Sequence, residues 1–179
     1  MITKVNTNIK LLIVLVSITT LLAQDRCNNK DIVSQSPYIT DTLHYLDMDE
    51  CIVGVTIYDL NTPDTIIRTG DIFSPDKEAI KKLEPDFLFC SDWTTPNTMI
   101  DITPKGTKSF ILHGFQSMLQ IENNLYSIGH VLGLKNLDQT VKTFSKKWKS
   151  LAEKIDAKNK KILLLRACDT DPYSFGEQT

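Results

Sequence analysis

The chain is 179 residues long, 41% of them hydrophobic and 23% charged, with 20 basic against 22 acidic side chains and a formal net charge of −2. That length suits one full hydrophobic core of roughly 100–150 residues, and the slightly acidic balance gives no electrostatic ground for a nucleic-acid or anionic-membrane partner. The patterns G-x-G-x-x-G, G-x-x-x-x-G-K-[ST] and G-x-S-x-G are all absent, which leaves a nucleotide-dependent enzyme or an α/β hydrolase without its usual sequence grounds.

The opening residues stand apart. Lys4 and Lys10 precede an uncharged run over residues 11–23, and polar Gln24, Asp25 and Arg26 follow at once. A positive start and a short apolar stretch predict a cleaved secretory signal over residues 1–23 and a soluble protein exported to the periplasm. The run falls short of the roughly 20 residues that cross a bilayer, so no transmembrane segment is expected in the mature chain. A lipid anchor would need a cysteine directly after the small residues, whereas Cys27 follows the charged Asp25-Arg26 pair. Cys27, Cys51, Cys90 and Cys168 all fall in the exported part, where disulfides can form. No two of them have the close spacing of a zinc motif. Cys51, Cys90 and Cys168 border or lie within apolar runs, which reads them as small buried hydrophobes.

Further along, apolar runs of strand length alternate with segments of helical period, which predicts a parallel sheet with crossover helices. Strands are expected over residues 31–34, 52–58, 87–90 and 109–112, and helices over 39–46, 75–83 and 117–132. Ser36-Pro37 and Ser74-Pro75 each place a hydroxyl ahead of a proline at the first helical position. Ser117 and Gln120 form a capping box, and Pro85 and Gly133 mark helix ends. These pieces make an α/β lobe over residues 31–135. From Leu137 onward, Val141, Phe144, Trp148, Leu151 and Ile155 recur at steps of three and four with lysines on the other faces, so one long amphipathic helix is expected within 136–158. After Lys160-Lys161, the run Ile162, Leu163, Leu164, Leu165 predicts a strand buried on both faces. The fold class expected is therefore α/β: a Rossmann-like parallel-sheet lobe, a long backbone helix, and the first strand of an incomplete second lobe over 160–179.

Two stretches carry a resemblance. Residues 31–58, DIVSQSPYITDTLHYLDMDECIVGVTIY, present a strand, a Ser-Pro helix start and a Val-Gly-Val-Thr strand; residues 74–89, SPDKEAIKKLEPDFLF, run a glutamate-bearing helix into Leu-x-Pro-Asp and a buried strand. Both resemble signatures of the periplasmic binding proteins with a helical backbone, the ligand-capturing components of ABC importers for cobalamin and iron chelates. DPYSFGEQT, residues 171–179, resembles a loop of the vitamin B12 binders, although Gly70-Asp71-Ile72-Phe73 stands where those carry a tryptophan. The resemblance implies two α/β lobes joined by one long helix, with a longer second lobe than this chain supplies. It also implies a non-enzymatic receptor that carries cobalamin, haem or a ferric siderophore to a permease at the inner membrane. A non-functional fragment of such a receptor would show the same residues.

Ligand contacts are expected on loops at the carboxyl ends of the parallel strands, the rule for open α/β sheets. Those loops supply Gln35, Ser36, Tyr58, Asp59, His113 and Phe115, together with Trp93 in Ser91-Asp92-Trp93-Thr94. Tyr58 follows its strand directly and resembles an aromatic contact of the B12 binders; the alternative is a packed ring with a locally satisfied hydroxyl. Trp93 either stacks on ligand or anchors its loop. Phe73, beside the place of the B12 binders' tryptophan, is a candidate ligand contact whether or not it stands in for that ring, and Tyr173 would face the cleft from the second lobe. The resemblance gives Glu78 another role, docking an arginine pocket of the permease, where chemistry alone reads a solvated surface acid. No catalytic residue is expected. His44 and His130 fall inside helices and only His113 at a strand end, so no three converging donors and no bound metal ion are expected. An axial contact from His113 or Tyr58 to a chelated metal stays open.

Overall fold

The computed structural model describes residue 27, residues 30–155, and the backbone of residues 165–168 and 171–174. The expected signal segment lies outside the described residues. Five strands, β1 (Ile32–Gln35), β2 (Ile52–Val55), β3 (Ile67–Arg68), β4 (Phe87–Ser91) and β5 (Lys108–Leu112), form one sheet in the order β3-β2-β1-β4-β5, with every neighbouring pair parallel. β1 and β4 are buried at every residue, as central strands covered on both faces must be.

Alternation along these strands feeds two cores. Ile32, Phe87 and Phe89 point to one face, where α1 (Pro37–Tyr45) and α4 (Met118–Val131) bring Ile39, Leu43, Leu125 and Ile128. Val33, Leu88 and Cys90 point to the other, under Ile80 of α2 (Lys77–Leu83) and Ile102 of α3 (Pro96–Ile102). The closeness of α2 explains Gly54 in the middle of β2. A Cβ there would sit 2.7 Å from Leu83 Cδ1 and 2.9 Å from Thr69 Cγ2.

α5 (Leu137–Glu153) is the long amphipathic helix, 17 residues and about 25 Å. It lies along α4 rather than standing clear of the lobe. Val141 is buried, Phe144 meets Tyr45 edge-on with ring centroids 5.0 Å apart, and Trp148 Nε1 donates to Glu122 Oε1 at 2.6 Å. Toward its carboxyl end the stripe emerges, with Leu151 and Ile155 exposed.

Local chemistry shifts several expected boundaries. β2 ends at Val55 instead of continuing to residue 58, because Thr56 turns the chain: its N–H donates to Asp59 Oδ2 at 2.9 Å and its hydroxyl bonds the same oxygen. α2 starts at Lys77, capped by Asp76, whose Oδ1 accepts from Glu78 N and Ala79 N, and not at Ser74-Pro75. α3, unexpected from the sequence, is capped by Thr95 Oγ1 and opens on Pro96. The two-residue β3 was also unexpected. Where one strand was foreseen over 162–165, a strand β6 (Leu165–Cys168) pairs antiparallel with β7 (Asp171–Ser174), which occupies the expected loop; residues 162–164 lie outside the described residues. Cys51 is not a lone buried thiol but is bonded to Cys27, Cα atoms 5.1 Å apart, pinning the chain ahead of β1 to the start of β2. Cys90 is the buried free thiol expected.

Candidate functional site

The sheet order reverses between β1 and β4, so their carboxyl ends frame the crevice in which open α/β sheets hold ligands. Gln35 pairs with Cys90 in register, which sets Ser36 and Ser91 side by side just beyond. Gln35 Nε2 donates to Thr69 O at 3.0 Å and to Thr69 Oγ1 at 2.7 Å, fixing the amide. Its Oε1, together with Ser36 Oγ and Ser91 Oγ, is buried without a hydrogen-bond partner among the described residues. The buried Thr94 hydroxyl has the Cys90 thiol beside it, a weak partner. Burial pushes that thiol up to about 12, a shift the Thr94 hydroxyl only partly offsets, so Cys90 is no nucleophile at neutral pH. Unpaired buried polar groups are rare in folded proteins, and each costs about 1–3 kcal/mol. Here they lie at and just beyond the carboxyl ends of β1 and β4.

Aromatic rings rim the same edge. Phe73 and Trp93 stack with centroids 5.8 Å apart and planes 18° apart, yet Phe73 is 69% and Trp93 44% exposed. Phe73 is thrust outward by a tight loop in which Gly70 adopts φ +84° and Asp71 Oδ1 accepts from both Phe73 N and Ser74 N at 2.6 Å. A second stacked pair, Tyr38 at the start of α1 and Phe115 after β5, has centroids 5.6 Å apart. Beyond β2, Ile57, Tyr58 and Leu60 are all exposed.

The expected contact residues are thus distributed unevenly. Ser36, Phe73 and Trp93 belong to this crevice and its rim. Tyr58 is 53% exposed in the turn after β2, three residues past the strand end it was expected to adjoin. The Asp59 carboxylate is turned inward onto Thr56 and is buried, while its carbonyl accepts from Arg68 Nη1 at 3.0 Å. His113 is exposed, its Nδ1 3.7 Å from Asp92 Oδ2, which also accepts from Gly114 N. Tyr173 lies on β7, described by its backbone alone. Glu78 projects from the first turn of α2, with Oε1 3.1 Å from Lys81 Nζ. Tyr38 and Leu60 escaped the sequence reading, although Tyr38 directly follows the Ser36-Pro37 helix start. Among the described residues, no group of three or more His, Cys, Asp or Glu side chains could hold a metal ion, and no helix is long and apolar enough to cross a membrane.

Comparison with solved structures finds the same α/β fold elsewhere. No family model and no curated protein matches the chain in sequence. In structure it is similar to the petrobactin-binding protein YclQ of Bacillus subtilis, with TM-score 0.65, 20% identity, and coverage of 83% of this chain and 55% of that one. It is similar to the periplasmic haem-binding protein HutB of Vibrio cholerae, with TM-score 0.64, 19% identity, and coverage of 77% and 55%. It is also similar to the periplasmic vitamin B12-binding protein BtuF of Vibrio cholerae, with TM-score 0.55, 18% identity, and coverage of 68% and 49%. The chain spans about half the length of these proteins. Its fold is the α/β lobe of periplasmic substrate-binding proteins.

Proposed function

We propose that the chain is the substrate-binding component of an ABC importer, or one lobe of it, working in the periplasm. Its ligand would be a cobalamin, a haem or a ferric siderophore, held against the carboxyl edge of the sheet and passed to a permease that docks on Glu78. The observation that carries this reading is the exposed Phe73–Trp93 stack beside a sheet switch point whose strand ends hold unpaired buried polar groups. Flat rings offered to solvent lose apolar contact with water when a planar ligand covers them, and the polar atoms at the strand ends gain the partners they lack. Proteins that share the fold bind haem, petrobactin and vitamin B12, which supports a chelate as the ligand class.

Trp93 supplies the test. Cyanocobalamin, haemin and a ferric siderophore are titrated into the purified chain while its tryptophan fluorescence is followed, with Trp148→Phe removing the second emitter. Saturable quenching by one of the three supports the reading. No quenching by any of them up to their solubility limits overturns it.

A further inference from the structure

The amino end of α1 opens directly into the crevice, and its cap is unusual. Ser36 occupies the N-cap position in an extended conformation, φ −167° and ψ 136°, yet its side chain makes no capping bond. Pro37 follows at the first helical position, so the Tyr38 amide is the first backbone donor of the helix, and at this position it has no carbonyl inside the helix to meet. Ser36 is fully buried and Ser91 is 4% exposed, with both hydroxyls unpartnered among the described residues. The register Gln35 with Cys90 places the two serines on adjacent strand ends. In strand alternation Ser91 follows Phe87 and Phe89 toward the α1 face, on which the helix terminus lies.

Two buried, unpartnered hydroxyls and a helix amino terminus with its partial positive charge thus lie at adjacent strand ends, a set of the kind that recognises an oxyanion. We propose that Ser36 Oγ, Ser91 Oγ and the Tyr38 amide form a subsite for a carboxylate carried on the ligand. The proposal rests on the chelate-binding reading and narrows its ligand to one bearing a free carboxyl group. Asp92, the nearest acid in sequence, does not fill this role. Its carboxylate is held by Gly114 N at 3.3 Å and lies 3.7 Å from His113 Nδ1.

The subsite is tested on the full chain in two arms. In the first, sodium acetate is titrated against a sodium chloride control while backbone amide NMR shifts are recorded. The Tyr38 and Ser91 amides should move saturably with acetate, Ser36→Ala and Ser91→Ala should weaken the response about tenfold or more, and Ser91→Thr, which keeps the hydroxyl, should restore it. In the second, haemin is compared with its dimethyl ester. Haemin should bind about tenfold or more tightly, and the advantage should vanish in Ser91→Ala. No acetate response at these amides, or one unchanged in both alanine variants, overturns the subsite. Equal binding of haemin and its ester also overturns it and leaves the chelate reading standing. A normal acetate response without binding of haemin, its ester, cyanocobalamin or a ferric siderophore upholds the subsite and removes the chelate reading.

Discussion

The indole N–H of Trp148 on α5 donates to the Glu122 carboxylate on α4 across 2.6 Å, a polar clasp in which Ser145 of α5 also hydrogen-bonds that carboxylate. The bond holds the Glu122 carboxyl below its ordinary range, with Trp148 the largest cause. A carboxyl depressed in the folded state adds stability above its unfolded pKa and loses it as pH falls through the lower, folded value. Trp148→Phe, which keeps the ring and drops the donor, should therefore destabilise the chain at neutral pH. Glu122 is solvent-screened, so the loss should stay below about 1 kcal/mol. Urea midpoints for wild type and variant, measured from pH 7 down to pH 3, should converge at the acid end.

Gly54 lies under α2 with no room for a methyl group. The Leu83 tip can swing aside, but Thr69 cannot, because its hydroxyl donates to Val55 O at 3.0 Å and accepts from Gln35 Nε2. Gly54→Ala should cost about 1–3 kcal/mol through overpacking, read as a lower urea midpoint with an unchanged slope.

The Cys27–Cys51 bond closes a loop with a sequence separation of 24. Constraint of the unfolded chain predicts roughly 3 kcal/mol of stabilisation. Cys27→Ser should lose most of it, and adding dithiothreitol should lower the melting temperature of wild type but not of the variant.

The Glu78 carboxylate pairs with Lys81 of its own helix, and that pair is exposed. Glu78→Lys should change stability by no more than about 0.5 kcal/mol. If the permease docks there, the same change should slow association and flatten its salt dependence while ligand titrations stay as they were. Unaltered association at low salt would return Glu78 to an ordinary surface acid.

The sequence was most legible where several signals coincide. β4 announces itself as the apolar run Phe87-Leu88-Phe89-Cys90 and β1 by Ile32-Val33 ahead of the Ser36-Pro37 helix start, and Ser117 caps α4 as its spacing foretells, its hydroxyl accepting from Gln120 N. The Gln120 side chain answers one residue early, accepting from Gln116 N. α3 was overlooked although Thr95-Pro96 repeats the hydroxyl-proline signal of Ser36-Pro37, because a seven-residue helix with one fully buried side chain shows no period. The carboxyl-end rule pointed to Ser36 and Trp93, which do lie just past the carboxyl ends of β1 and β4. That Phe73 stacks on Trp93 was beyond it, since the two rings sit on different loops and meet only through the fold. Unpaired hydroxyls are illegible in principle: whether Ser36 has a partner is a property of its surroundings and not of the residue.

The sheet is assembled in an order unlike its sequence. Its central pairing, β1 with β4, joins segments whose flanking bond, Asp31 N to Asp86 Oδ2, spans 55 residues. Such distant parallel pairings fold slowly, because loop closure must precede any gain from contact. A nascent chain therefore keeps β1 open on one side until β4 has emerged and found it, and remains loosely organised meanwhile. Under the proposed export to the periplasm, slow closure at the centre of the sheet would keep the chain unfolded while it is threaded across the membrane.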